Sequence, residues 1–264
     1  MATFRERFPR NRRDVVLAID AQFRRLRKAI YRGPVREAGH RLFFTELVEA
    51  TDNFGQITWL GRPIWQNVLD LWTIQETLYE LRPALLIETG TNRGGSSFFF
   101  AQLFDLMDHG RVITSDVERL HDLHHPRVEY LIGSSTSPEV IGHVRSAVAQ
   151  ADGPVLVILD SDHNARHVTN ELELYAPLVT PGSYIIVQDG SIDTLRLFRV
   201  GRPGPLPAIR DFLARHPEFD SDRTKEKRFV ISHSPEGWLR RRPDTSTDKG
   251  VSGSLDSVRD STAR

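Results

Sequence analysis

Residues 84–97, ALLIETGTNRGGSS, decide the fold class of this chain. A short apolar run ends in an acid, a glycine-rich turn follows, and a helical pattern begins at Ser96. Glycines let the backbone turn sharply and approach a ligand closely, and the amides that open the following helix face that ligand. The stretch therefore predicts a buried strand over residues 84–88, a ligand-binding turn and a helix.

Four further apolar runs follow, at intervals that leave room for helices. The runs cover residues 111–115, 128–132, 154–159 and 183–187, and helical patterns cover residues 96–107, 138–149 and 164–178. The runs are continuous rather than alternating, which is typical of strands covered on both faces. The series predicts a doubly wound, mostly parallel α/β sheet with helices on both faces. Functional residues should then follow the carboxyl ends of the strands.

The flanks of this alternation carry further patterns. Residues 64–81 predict an amphipathic helix whose inward residues are Val68, Leu71, Trp72 and Leu78. Late in the chain, residues 208–216 predict a helix and residues 228–232 predict a strand.

An Arg-rich region precedes these elements. Residues 14–31 predict a helix with a basic face and an apolar stripe at spacings of three and four, made of Val16, Ile19, Phe23, Leu26 and Ile30. We interpret it as a cap or a dimer helix, with a contact to a phosphorylated or acidic substrate as the alternative. The predicted organisation is an N-terminal helical extension over residues 1–58, a central domain over 59–242 and a disordered tail over 243–264.

Composition excludes several classes of protein. The 264 residues contain no cysteine, which rules out disulfides and thiolate metal sites. Lys plus Arg and Asp plus Glu number 35 each, so the bulk charge indicates no polyanionic partner and we expect no nucleic acid. No apolar run reaches membrane-spanning length, and the N-terminus lacks the apolar stretch of a secretory signal. We expect a cytoplasmic protein without a membrane span.

The glycine-rich turn favours a cofactor without a phosphate. Its spacing is G-x-x-x-G-G, whereas a dinucleotide requires G-x-G-x-x-G, and no P-loop sequence is present. S-adenosylmethionine fits better: Glu88 suits its cationic end, and the loop amides with Arg93 suit its carboxylate. Asp116, after the second strand, suits the ribose hydroxyls, and Ser134 and Ser135, after the third, suit the adenine edge. NAD stays open as the weaker interpretation.

Acids follow the fourth and fifth strands. Asp160 and Asp189 should converge if those strands are neighbours, with Asp162 nearby, and oxygen ligands without sulfur favour Mg²⁺. Capping of a helix N-terminus is the alternative role, and it is strongest for Asp162. A metal would lower the pKa of an alcohol, and His163, three residues after Asp160, is the natural base.

These residues together resemble the cephalosporin hydroxylase family, which includes rhamnosyl and other deoxysugar O-methyltransferases. The resemblance covers about residues 59–241 and includes IETGTNRGGS, GSS, LVILDSDHNARHV, PGSYIIVQD and SPEGWLRR. It implies a class I, Rossmann-like methyltransferase fold with a seven-stranded sheet.

The resemblance also implies roles for individual residues. The predicted cofactor-binding set is Glu88, Gly90, Thr91, Arg93, Gly94, Ser96, Asp116, Ser134, Ser135 and Asp160. The predicted metal ligands are Asp160, Gln188 and Asp189, and His163 is the predicted general base. Where the family usually has Glu-Asp, this chain has Gln188-Asp189. An amide oxygen can coordinate Mg²⁺ but brings no charge, so metal affinity should be lower.

The leading functional hypothesis is Mg²⁺-assisted O-methylation of a sugar hydroxyl on a glycosylated metabolite or glycolipid. The alternatives are a partner protein in β-lactam hydroxylation or methoxylation and a non-catalytic scaffold that keeps the fold. The expected partners are a small-molecule or glycolipid acceptor and further copies of the chain, as a homo-oligomer.

Overall fold

The computed structural model describes residues 12–30, 33–50, 56–195 and 201–244. The chain divides into two compact units, Met1–Leu47 and Val48–Arg264. Two helices, α1 (Arg12–Ile30) and α2 (Pro34–Ala50), begin the described chain. The predicted tail lies outside the described residues from position 245 onward. Among the described helices, none combines the length and the apolar character needed to span a bilayer.

The predicted N-terminal helix is confirmed as α1. Its stripe residues Val16, Ile19, Phe23 and Leu26 are all exposed in the single chain. The side chain of Ile30, the fifth residue of that stripe, lies outside the described part. The homo-oligomer that such a stripe would support stays a prediction.

Strands of the second unit form one mixed sheet. Its members within the described residues are β3 (Leu85–Thr89), β4 (Arg111–Asp116), β5 (Val128–Ile132), β6 (Val155–Leu159), β7 (Tyr184–Val187), β8 (Phe219–Ser221) and β9 (Trp238–Arg241). They run in the order β5-β4-β3-β6-β7-β9-β8. Strands β3 to β7 are parallel, whereas β9 pairs antiparallel with β7 and β8. A separate two-stranded hairpin joins β1 (Thr58–Trp59) to β2 (Arg62–Pro63).

Helices cover both faces of this sheet. They are α3 (Val68–Leu81), α4 (Gly95–Met107), α5 (Pro138–Ala149), α6 (Ala165–Tyr175), α7 (Pro205–Arg215) and the short α8 (Arg223–Glu226). Leu86 of β3 packs with residues of α3 and α4, whereas its neighbour Ile87 packs with residues of α5, α6 and α7. This alternation is what a strand between two helical layers requires. The predicted doubly wound α/β fold is confirmed.

Burial along the strands follows their position in the sheet. Every residue of β3, β6 and β7 is buried, as their continuous apolar sequences predict. Strand β5 is only partly buried, although its sequence was grouped with the others, because it forms the edge of the sheet.

The helix predicted over residues 64–81 begins later, at Val68, and the prediction that Val68 and Trp72 face inward was wrong. Asn67 caps the helix by accepting the backbone N–H groups of residues 69 and 70, so α3 starts at Val68. Val68 is 38% exposed and Trp72 is 59% exposed. The buried face instead includes Asp70 and two threonines. A prediction based on apolar residues alone could not identify a face that contains these polar residues.

The predicted strand over residues 228–232 was also wrong. Val230 has a left-handed backbone with φ of 81°, which a strand does not allow. Arg228 forms a bidentate ion pair with Glu76 of α3, at 2.8 and 2.9 Å. The position beside β7 belongs to β9, whose Trp238 and Leu239 are fully buried. Burial of this later apolar pair explains why the sheet selects β9.

Candidate active site

A cavity of about 740 Å³ opens at the carboxyl ends of the central strands. Its wall includes the loop after β3 and the loop after β6, the two strands at which the strand order reverses. Ligands of doubly wound sheets bind at this point. Most of the predicted site residues line it, namely Gly90, Thr91, Arg93, Ser96, Asp116, Ser134, Ser135, Asp160, His163 and Asp189.

Glycine is required where the loop after β3 crosses the end of β6. Gly90 has φ of +88°, and a Cβ there would lie 2.0 Å from the backbone oxygen of Asp160. The Gly90 N–H donates to the Ser115 carbonyl of β4 at 2.8 Å. The loop is thus pressed onto both neighbouring strands. Gly94, with φ of +76°, lies just before α4 and does not itself line the cavity.

Asp116 holds the glycine loop in place from the next strand. Its Oδ2 accepts the backbone N–H of Asn92 at 2.7 Å, and both residues line the cavity. The acid is therefore fixed at the end of β4, where the sequence predicted a partner for ribose hydroxyls.

Glu88 lies beneath the loop rather than on the cavity wall. It is 1% exposed, and Thr114 donates its hydroxyl to Glu88 Oε2 at 2.7 Å. Oε1 is buried and has no hydrogen-bond partner among the described residues. Burial raises the pKa of Glu88 to about 7, against smaller opposing effects from Ser96 and Thr114. Its contact with the cationic end of a cofactor stays a prediction.

The polar turn after β5 is tied to α6. Ser135 Oγ lies 3.1 Å from His167 Nε2, and the Tyr175 hydroxyl donates to the Ser135 carbonyl at 2.8 Å. Ser134 bonds instead to Thr136 within the turn. His167 therefore lies on the predicted adenine side of the cavity as well.

Two acids and a histidine converge at the ends of β6 and β7. The nearest ligand atoms of Asp160, His163 and Asp189 all lie within 4.8 Å of one another. His163 Nε2 is 2.9 Å from Asp189 Oδ2, and His233 Nδ1 is 2.9 Å from Asp189 Oδ1. The side-chain N–H of Gln66 donates a hydrogen bond to Asp160 Oδ2 at 2.5 Å. The sequence predicted the three central residues but neither Gln66 nor His233.

The surroundings of Asp160 and Asp189 shift the pKa values of these two carboxylates in opposite directions. Burial and the charge of Asp189 raise the pKa of Asp160 well above its ordinary value. Burial also acts to raise the pKa of Asp189, but His233 and His163 outweigh it and hold that pKa well below the usual range. Burial alone would lower the pKa of His163, yet the Asp189 carboxylate raises it to about 9.

Gln188 and Asp162, which the sequence also placed near the metal, are not part of this cluster. Gln188 is buried, does not line the cavity, and has a buried Nε2 without a partner among the described residues. Its role as a metal ligand stays a prediction. Asp162 lines the cavity, but its carboxylate accepts the Asn164 N–H at 2.9 Å at the start of α6. The N-cap of α6 is Asn164, whose side chain accepts the Arg166 N–H at 3.0 Å, so the alternative of a capping role for Asp162 is wrong.

The donor set of the cluster fits a divalent cation. Asp160 and Asp189 offer carboxylate oxygens, which Mg²⁺ prefers, and Mg²⁺ commonly takes one or two protein carboxylates and completes its shell with substrate and water. His163 can serve either as a nitrogen ligand or as a base beside the metal.

The sheet order, the glycine loop and the acids at the strand ends define a class I S-adenosylmethionine-dependent methyltransferase. The sequence profile of the rhamnosyl O-methyltransferase/CmcI family matches residues 52–242, and the chain belongs to that family. The resemblance stated from the sequence is confirmed.

Individual relatives agree with this assignment. Rhamnosyl O-methyltransferase of Mycobacterium tuberculosis is 32% identical over 215 residues, which cover 78% of this chain and 85% of the relative. The Mycobacterium leprae protein of the same name is 31% identical over 216 residues, covering 79% and 91%. Among solved structures, the Mg–SAM form of CmcI has a TM-score of 0.56 at 22% identity, covering 71% of this chain and 77% of that one. That likeness supports the fold.

Proposed function

We propose that this protein transfers the methyl group of S-adenosylmethionine to a hydroxyl of a rhamnosyl or related deoxysugar unit, with Mg²⁺ at Asp160 and Asp189. The acceptor would be a glycosylated metabolite or a glycolipid. The observation that carries the proposal is the Asp160, His163 and Asp189 cluster on the wall of the same cavity as the glycine loop. The rhamnosyl O-methyltransferases at 31–32% identity favour a sugar acceptor over a β-lactam.

The cavity residues divide the work of the reaction. The glycine loop and Asp116 would hold the methyl donor, and His163 would take the proton of the acceptor hydroxyl at Nδ1, because its Nε2 faces Asp189 Oδ2. A bound divalent cation would offset the two carboxylates and polarise the hydroxyl, which favours loss of its proton. The acceptor oxygen gains the methyl carbon as the carbon–sulfur bond breaks, and His163 retains the proton until the product leaves.

Asp189 would position the base in this scheme. Its two oxygens contact His163 and His233, so the His163 ring cannot rotate away without losing an ion pair.

The test is a methyl-transfer assay with S-adenosylmethionine and methyl α-L-rhamnopyranoside, with Mg²⁺ or with EDTA. Mass spectrometry should detect both the methylated sugar and S-adenosylhomocysteine, at rates that fall on chelation. His163→Ala should lower kcat by about 100-fold or more. His143→Ala is the matched control, because His143 pairs with Glu129 away from the cavity. Methyl transfer to no glycoside, from a protein that binds the donor, would refute the proposal.

A further inference from the structure

The short segment between β2 and α3 crosses the wall of the cavity. Ile64 is 1% exposed, Trp65 is 47% exposed and Gln66 is 2% exposed. Asn67 then caps α3. Trp65 and Gln66 both line the cavity, so consecutive residues present an indole and an amide to the same space.

The orientation of the Gln66 amide follows from its partner. The amide nitrogen donates to Asp160 Oδ2 at 2.5 Å, as it would to a carboxylate that holds a divalent cation and therefore only accepts hydrogen bonds. The amide oxygen, Oε1, is then left buried without a partner among the described residues. Buried acceptors are nearly always paired, because an unpaired one loses its hydration and gains nothing. A ligand that brings a hydroxyl to this oxygen would satisfy it.

Gln66 also fixes where that hydroxyl would be. Its amide touches Asp160, whose carboxylate lies within 4.8 Å of the ligand atoms of His163 and Asp189. A hydroxyl bound to Gln66 Oε1 would therefore lie in the same part of the cavity as the hydroxyl that His163 would deprotonate.

Trp65 supplies the apolar half of the same subsite. A large aromatic side chain left half exposed at a cavity wall is available for contact with a ligand. Ile192, after β7, adds a second apolar side chain to the wall. Sugar rings present one face of C–H groups and a rim of hydroxyls, and a 6-deoxy sugar adds a methyl group. An indole beside an unpaired amide oxygen matches that combination.

We propose that Trp65 and Gln66 form the acceptor-sugar subsite, in which the indole packs on the C–H face of the ring and Gln66 Oε1 accepts a hydrogen bond from a second ring hydroxyl. This inference rests on the proposed function and adds to it the residues that select the acceptor. Trp65 belongs to none of the predicted cofactor contacts, so donor binding is the control for its variants.

The first experiment compares tryptophan variants by steady-state kinetics with methyl α-L-rhamnopyranoside. Trp65→Ala should raise the KM for the sugar at least about tenfold, whereas Trp65→Phe should retain most of the affinity. The Kd of S-adenosylhomocysteine, measured by calorimetry, should stay within about twofold. Trp72→Ala is the matched control, because Trp72 is 59% exposed but lies outside the cavity wall. Equal sugar KM values for Trp65→Ala and Trp72→Ala would overturn the role of Trp65.

The second experiment tests Gln66 from the side of the acceptor. Monodeoxy analogues of the same glycoside, each lacking one ring hydroxyl other than the methylated one, are compared with the parent sugar on wild type and on Gln66→Met. Wild type should disfavour one analogue in kcat/KM by about 10- to 100-fold, because that analogue leaves Oε1 unpaired. In Gln66→Met this ratio should fall toward one.

Changes in folding or in metal binding cannot imitate this result. Such changes lower kcat/KM for the parent sugar and for the analogue alike, and they leave the ratio unchanged. A wild-type ratio that persists in Gln66→Met, while the sugar is still methylated, overturns the subsite alone. Methylation of no glycoside by wild type overturns the proposed function and the subsite together.

Discussion

Replacement of Glu88 by Gln should stabilise the free protein at alkaline pH but not at acid pH. Glu88 is buried, and its pKa rises from an ordinary 4.5 to about 7. A carboxyl whose pKa is higher in the folded state binds more protons there than in the unfolded chain. Its ionisation therefore costs stability, and the loss begins near pH 4.5 and is complete above about pH 7.

The size of this effect follows from the same pKa. Each pKa unit corresponds to about 1.4 kcal/mol, so the rise from 4.5 to about 7 gives a cost of about 3 kcal/mol. Glu88→Gln removes the ionisable group and keeps an oxygen that can accept the Thr114 hydroxyl, at present 2.7 Å from Oε2. The variant should thus match wild type near pH 4.5 and exceed it by up to about 3 kcal/mol at pH 8.5.

Urea denaturation of both proteins between pH 4.5 and pH 8.5, without cofactor, measures this difference. Other buried acids, such as Asp70 with a pKa of about 6, change both proteins equally and cancel in the comparison. A difference in the free energy of unfolding that is the same at every pH would refute the reasoning. Titration of the variant with S-adenosylhomocysteine asks a separate question: unchanged affinity would make Glu88 a structural acid rather than a cofactor contact.

Three further predictions concern the loop, the metal and the first helix. Gly90→Ala should destabilise the protein by more than Gly182→Ala in urea denaturation, because both positions have φ near +90° but only Gly90 would meet a backbone oxygen, at 2.0 Å; equal losses would show that the loop moves aside. Gln188→Glu should tighten Mg²⁺ binding about tenfold by calorimetry, because it adds a charge next to Asp189, and an unchanged Kd would remove position 188 from the metal site. If the exposed stripe of α1 joins copies of the chain, Phe23→Asp should lower the mass measured by light scattering whereas Arg25→Ser should not; two unchanged masses would exclude that contact.

The sequence predicted the central sheet well because its signals are local. Each central strand is a short continuous apolar run, and each lies between helical patterns of sufficient length. The glycine turn after β3 could be read for the same reason, since φ of +88° at Gly90 is a property of one residue and its neighbours. Rules of strand topology then placed the acids at one edge of the sheet.

Errors arose where distant contacts override a local pattern. Val68 and Trp72 fit an apolar stripe, yet both are exposed. Asp70, which lies between them in the sequence, is buried instead, because it accepts the backbone N–H of His233 at 2.7 Å. The apolar run over residues 228–232 resembles a strand, yet β9 occupies the only antiparallel position next to β7 within the described residues. Neither outcome follows from a window of ten residues.

Gln66 and His233 were missed for the same reason, because each reaches the site through a contact with a residue distant in the sequence. Gln66 reaches Asp160 across 94 positions in the sequence, and it lies in a segment with no motif of its own. His233 directly precedes the SPEGWLRR stretch, which pointed to the family but not to a contact with Asp189. A rule that looks only after parallel strands cannot find residues that enter the cavity from a hairpin or from a late loop.

Asp160 and Asp189 show why such contacts decide the chemistry. Both are aspartates just after adjacent parallel strands, so the sequence treats them alike. Asp189 is held between two imidazoles, which keep its pKa low, whereas burial and the charge of Asp189 raise the pKa of Asp160 against the smaller opposing effect of the Gln66 hydrogen bond. Two identical acids whose surroundings push their pKa values apart can take different roles in one reaction. The strand ends fix where the carboxylates lie, and the imidazoles of His163 and of His233 in the late loop make Asp189 the stronger acid of the two.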